Sequence, residues 1–145
     1  MSPKGKPFAT SVLLIDGDDT DRASYIKGLR HSSPDYHILE AADGRSGLAL
    51  YRSQRIDCVV LELSLPDSSA FGVLVTLVPI VRRPNIAVIV LTRIADAGLW
   101  GLAKKNGAYA CYLKKHTSSD DLERAIQRAI AFVGLLPKED RYRPV

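Results

Sequence analysis

Short, almost unbroken apolar runs alternate along this chain with longer stretches in which apolar residues recur every three or four positions. Five runs read as strands, at residues 11–15, 36–40, 58–63, 86–92 and 109–113. Three of them are nearly continuous Val, Ile and Leu, the pattern of strands covered on both faces of a parallel sheet. Helices are predicted between them at 21–30, 45–55, 71–78 and 97–106. A last one carries Leu122, Ala125, Ile126, Ala129, Ile130 and Val133 at helical spacing. Ser118, with Asp121 three residues on, supplies a cap for that helix. Pro79 ends or kinks the third helix and Pro84 extends the break, while Gly98 and Gly101 weaken the fourth. Strand–helix alternation of this kind predicts an α/β fold, one doubly wound, five-stranded parallel sheet. The domain is placed at 8–136, with flexible tails at 1–7 and 137–145.

Composition narrows the class. With 145 residues there is room for one domain, and 46% hydrophobic against 25% charged residues is a globular mix. No apolar run reaches the ~20 residues of a membrane-spanning helix, and Ser11–Ile15 is too short for a signal-peptide core. Cys58 and Cys111 form no CxxC motif and read as small core residues in a reducing cytoplasm. The formal net charge is +4. Its Lys and Arg are scattered over predicted helices and tails without a dense basic block, which argues against nucleic-acid binding by this chain alone.

In doubly wound sheets chemistry gathers at the carboxyl ends of the strands. After the first strand comes Asp16-Gly17-Asp18-Asp19-Thr20-Asp21, four carboxylates in six residues. Glu62 lies in the third strand's run, Thr92 ends the fourth, and Lys114 and Lys115 follow the fifth. A charged glutamate among valines and leucines is unfavourable unless paired or solvated. One reading leaves Glu62 at a loop start, facing water beside a lysine. The other gathers carboxylates, a hydroxyl and a lysine into a site for a hard divalent cation and a phosphoryl group.

The order and spacing of several pieces resemble the receiver domain of two-component response regulators over about residues 10–135. The pieces are Val12-Leu13-Leu14-Ile15-Asp16 with Arg22 beyond, Glu40-Ala41-Ala42-Asp43-Gly44, Asp57 through Leu63, and Ser64-Leu65-Pro66-Asp67. Val88-Ile89-Val90-Leu91-Thr92, Asn106-Gly107-Ala108 and Tyr112-Leu113-Lys114 complete the set. Glu62 to Thr92 spans 30 residues and Thr92 to Lys114 spans 22, the family's usual separations. The resemblance implies a flavodoxin-like (CheY-like) sheet of strand order 2-1-3-4-5. It implies a phosphorelay role without enzyme activity of its own, and a histidine kinase or other signalling protein as partner through the helix 4–strand 5–helix 5 face. Homodimerisation stays open. By the same resemblance Asp16 belongs to a magnesium-holding acidic pocket, Glu62 occupies the phosphoacceptor position, Thr92 contacts the phosphoryl oxygen and Lys114 pairs with that group, with Lys115 as a fallback.

Departures from the family pattern carry their own implications. Glu62 replaces the acceptor aspartate and moves the carboxylate out by about 1.5 Å, a displacement that in-line transfer tolerates badly. Gly17 stands where a second metal-contacting acid is usual, leaving Asp18 to reach in, so Mg²⁺ is expected to bind weakly or not at all. Ala70 replaces a turn glycine, Arg93 a small residue, Lys115 a proline or glycine, and Cys111 the aromatic that rotates on activation. These changes predict a pseudo-receiver, either imitating the activated state or inert.

Two other classes fit parts of the chain. Asp16-Gly17-Asp18-Asp19-Thr20 spells D-x-D-x-T, the haloacid dehalogenase-type phosphatase motif, with Asp16 as nucleophile, Asp18 as acid/base and Thr92 as a second motif. That reading lacks a later strand ending in an acidic pair, because Asp120-Asp121 opens a helix, and Asp21 replaces an expected apolar residue. The other class is an interaction module, for which Trp100 and Tyr112 are candidate contacts. No helix-turn-helix or catalytic effector follows, so the chain is either a single-domain regulator or a piece of a longer protein.

Overall fold

A computed structural model describes residues 9–136; the tails expected at 1–7 and 137–145 lie outside them. The chain alternates strictly: β1 (Ser11–Ile15), α1 (Asp19–Ser32), β2 (His37–Ala41), α2 (Gly44–Ser53), β3 (Cys58–Leu61), α3 (Ala70–Leu77), β4 (Ala87–Thr92), α4 (Ala97–Lys105), β5 (Ala110–Leu113) and α5 (Ser119–Gly134). All strand pairs are parallel, in the order β2-β1-β3-β4-β5.

The unbroken apolar runs are explained by the period of the strand. Successive side chains point to opposite faces, and both faces are covered. Leu13, Ile15, Val59, Leu61, Val88 and Val90 pack with Val73, Leu74 and Leu77 of α3 and Ala103 of α4. Val12, Leu14, Cys58, Val60, Ala87, Ile89 and Leu91 pack with Ile26 and Leu29 of α1 and Leu122, Ala125, Ile126 and Ala129 of α5. Every residue of β1, β3 and β4 is buried, whereas the edge strands β2 and β5 are only partly covered. Burial also pushes the Cys58 thiol up, so it behaves as an unreactive core residue.

Element ends move from the expected positions for local reasons. Helix α1 starts at Asp19 rather than Asp21 because the Asp18 side chain accepts the Asp21 N–H and caps it. Asp43 caps α2 in the same way through the Ser46 N–H. Ser118 and Asp121 form a reciprocal capping box on α5. Strand β3 ends at Leu61, so Glu62 is the first residue beyond it. Gly107, after α4, has φ +114°, and a Cβ there would lie 2.6 Å from Val78 Cγ1, so only glycine closes this turn. No helix among the described residues is long and apolar enough to cross a membrane.

Candidate functional site

Strand register alone assembles the site. Ile15 is paired with Leu61, so Asp16 and Glu62 leave the sheet side by side, at the point where the chain turns to opposite sides of β1. Thr92 is paired with Leu113, which brings Arg93 and Lys114 out together on the neighbouring strands. Asp16 and Glu62 are both buried, the latter only 2% exposed.

Lys114 is the hub. Its Nζ lies 2.7 Å from Asp16 Oδ2, 2.9 Å from Asp21 Oδ2 and 3.0 Å from Glu62 Oε1. Burial disfavours the charge on Lys114, but its hydrogen bonds to Asp16, Asp21 and Glu62 outweigh that and raise its pKa above the ordinary lysine value. Glu62 is fully engaged: Oε1 also accepts the Arg93 backbone N–H at 3.1 Å, and Oε2 accepts the Ser64 N–H at 3.1 Å. Asp16 Oδ1 accepts the Asp18 N–H at 2.9 Å, and its backbone carbonyl accepts from Arg22 at 2.6 Å. Arg22 goes on to Glu40 and Asp19, each at 2.8 Å, tying the end of β1 to β2 and α1.

The sequence-predicted residues Asp16, Glu62 and Lys114 therefore meet directly. Thr92 is completely buried at the end of β4, and its Oγ1 accepts the Ile94 N–H at 3.1 Å, turned to the β4–α4 loop. Lys115 is exposed and outside the cluster, in the short 3₁₀ turn Lys114–His116. Arg93 meets Glu62 through its backbone; its guanidinium instead bridges Asp18 Oδ2 at 2.5 Å and Asp21 Oδ2 at 3.0 Å. Asp21 is the site residue that sequence reasoning missed. Its signal was available, since it stands three residues after the cap Asp18 at the start of a helix and so faces the same way.

Asp18 lines the pocket with Asp16 and Glu62, but its carboxylate is engaged: one oxygen caps α1 and the other holds Arg93. The Asp21 N–H first, and then Arg93, hold its pKa below the usual 3.8. Gly17, for its part, is more than a missing acid. A Cβ there would lie 2.7 Å from Pro66 Cδ and 3.2 Å from the Ala42 carbonyl, so a side chain at this position requires Pro66 and its loop to shift. Among the described residues no three His, Cys, Asp or Glu are grouped to hold a metal ion. With the oxygens of Asp16, Asp18 and Glu62 already bonded to protein N–H and cationic groups, the donor set does not fit Mg²⁺, which needs near-ideal octahedral oxygen coordination.

The β4–α4 loop is held from both sides. Ile94 receives the indole N–H of Trp100 on its carbonyl at 2.7 Å while its own N–H goes to Thr92. Cys111, at the position of the expected switch aromatic, is half-buried with Sγ 3.6 Å from the Trp100 carbonyl. Ala70, expected at a turn position, is the first residue of α3, and in the β3–α3 loop before it Ser68 adopts the left-handed conformation at φ 55°.

The family model of the response regulator receiver domain matches residues 12–127. Over 88 residues, 61% of this chain and 35% of the relative, the sequence is 35% identical to a probable transcriptional regulatory protein, TcrX, of Mycobacterium tuberculosis. Over 119 residues, 82% of this chain and 47% of the relative, it is 28% identical to the probable transcriptional regulator ycf27 of Porphyridium aerugineum. The chain thus spans a third to a half of the length of such curated relatives. Among solved structures, the response regulator receiver domain protein of Clostridium thermocellum is 30% identical with a TM-score of 0.74, covering 87% of this chain and 98% of that one. The CheY-like receiver domain protein of Methanospirillum hungatei superposes with a TM-score of 0.77 at 21% identity, covering 87% and 97%. Strand order, helix placement and the family match over most of the described residues agree: the chain belongs to the response regulator receiver domains of two-component signalling.

Proposed function

We propose that this is an atypical receiver, a pseudo-receiver without enzyme activity, that signals through protein contacts rather than by carrying a phosphoryl group. The observation that carries this reading is Glu62. Acyl-phosphate formation needs a carboxylate oxygen free to attack in line, and both oxygens of Glu62, a residue only 2% exposed, are already bonded within the protein. Its extra methylene and the poor fit to Mg²⁺ act in the same direction. The Lys114 ammonium already balances part of the negative charge, so the pocket is self-satisfied.

Contacts would be made by the α4–β5–α5 face, with a histidine kinase, another signalling protein or a second copy of the chain. Exposed Leu102 on α4 and Phe132 on α5, the latter in tilted contact with the Tyr109 ring at 5.4 Å between ring centroids, support an apolar contact surface. Trp100 and Tyr112 contribute less than their types suggested, because both are partly buried against the core. The dehalogenase-type phosphatase reading requires Asp18 free as acid/base, and Asp18 is occupied. Incubation with acetyl phosphate and Mg²⁺ followed by intact-mass measurement tests the proposal: the mass should not change, and a phosphoryl adduct mapped to Glu62 would overturn it.

A further inference from the structure

Receiver domains hold Mg²⁺ beside the phosphorylation site, and the pocket of this chain does not fit that ion. What it holds instead is an internal cation. Four carboxylates, of Asp16, Asp18, Asp21 and Glu62, share two cations, Lys114 from below and Arg93 from above. Lys114 serves the buried pair Asp16 and Glu62. Arg93 serves the outer pair, and one of its nitrogens bonds both Asp18 and Asp21. Asp21 is shared between the two cations, which makes a single connected network from the floor of the pocket to its rim.

We infer that Arg93 is a tethered substitute for the divalent ion: its guanidinium neutralises the acids at the start of α1 and excludes Mg²⁺ from the pocket. The geometry gives this a physical basis. Arg93 leaves the end of β4, and its backbone N–H is fixed on Glu62. The side chain is therefore anchored close to the rim and crosses only to the first turn of α1. A cation attached to the chain loses far less freedom on reaching Asp18 than a free ion does, and it sheds less bound water than Mg²⁺ must. Its charge also repels an arriving divalent ion at short range, where screening by salt is weak. Asp18 adds selectivity, since one of its oxygens is committed to the α1 cap and only the other is open to a cation.

The fold does not need this bridge. The Arg93 side chain is 56% exposed and its partners are about one third exposed, and ion pairs of that kind contribute little to stability. The role assigned to Arg93 is therefore occupancy of the acidic rim. Although this inference deepens the pseudo-receiver reading of the same pocket, its test uses no phosphoryl donor, so either can fail alone.

The test is calorimetric titration with Mg²⁺, and in parallel Mn²⁺, of the wild-type chain, Arg93→Ala and Arg93→Lys. Melting temperatures with and without metal accompany each titration. The wild-type chain and Arg93→Lys should show no saturation at millimolar metal, whereas Arg93→Ala should bind at least about tenfold tighter and gain thermal stability only when metal is present. The inference is overturned if the wild-type chain binds as tightly as Arg93→Ala, if Arg93→Ala gains no affinity while remaining folded, or if Arg93→Lys gains as much as Arg93→Ala.

Discussion

Lys114 Nζ lies 3.0 Å from Glu62 Oε1, and both side chains are almost completely shielded from water. The partnership is unequal. Lys114 has two further carboxylate partners, Asp16 and Asp21, while Glu62 has no other side-chain cation within bonding distance among the described residues. Removing the lysine strips several acids of their counter-charge at once, and removing the charge of the acid leaves the lysine paired.

Replacement of Lys114 by Met should therefore be the more damaging change, costing about 3–5 kcal/mol because it leaves buried carboxylates uncompensated. Glu62→Gln should cost roughly 1–2 kcal/mol, the scale of weakened hydrogen bonds to a charged group. Chemical denaturation of both variants at neutral pH checks the order. Equal losses would mean that Lys114 serves Glu62 alone.

Restoring the missing acid should harm the protein. Gly17→Asp places a Cβ against Pro66 Cδ and the Ala42 carbonyl, and overpacking of this kind costs about 1–3 kcal/mol. Melting temperature should fall, and Mg²⁺ should not recover it. A variant as stable as the parent would show that the loop at Pro66 yields freely.

Trp100 is the single tryptophan of the chain, and its indole holds the loop that Arg93 and Ile94 connect to Glu62 and Thr92. Its fluorescence should therefore report on the pocket. Glu62→Gln should shift or quench the Trp100 emission, and Trp100→Phe should cost about 1 kcal/mol for the lost hydrogen bond. Emission insensitive to Glu62→Gln, in a folded variant, would sever the proposed link between pocket and α4.

Acid sensitivity follows from the helix caps. Backbone and side-chain hydrogen bonds lower the pKa of Asp18, Asp43 and Asp121 below 3.8, and Asp67 is lowered chiefly by Ser69. A group whose pKa is depressed by folding stabilises the native state above its unfolded value, and that contribution is lost as pH falls through the folded value. Stability should thus hold from neutral pH down to about 4 and decline below it. Lys114, with its pKa raised by folding, has the opposite sign: its contribution is full at neutral pH and is lost only under strongly alkaline conditions. A decline already complete by pH 5 would point to other groups.

The architecture was legible in the sequence because doubly covered strands must be apolar at every position, and β1, β3 and β4 are. Asp16 and Glu62 could be placed for the same reason, since each follows directly on such a run, whereas Lys114 follows the partly covered edge strand β5 and was placed by its spacing from Thr92. Element ends were less legible where a side chain, not the hydrophobic pattern, sets the boundary, as Asp18 does for α1. The pocket's wiring was hidden more deeply. That Arg93 meets Glu62 with its backbone and Asp18 and Asp21 with its guanidinium depends on the rotation of one side chain across two loops. The steric reason for Gly17 depends on Pro66, which is remote in sequence.

Whether Glu62 can carry a phosphoryl group decides between a pseudo-receiver and a working phosphoacceptor. Intact-mass spectrometry of the chain after prolonged incubation with acetyl phosphate and Mg²⁺, with a phosphorylatable receiver treated alongside, measures this directly. The parent mass alone is predicted for this chain while the control gains its adduct. A stoichiometric adduct of one phosphoryl group, localised to Glu62 and abolished by Glu62→Gln, would contradict the account.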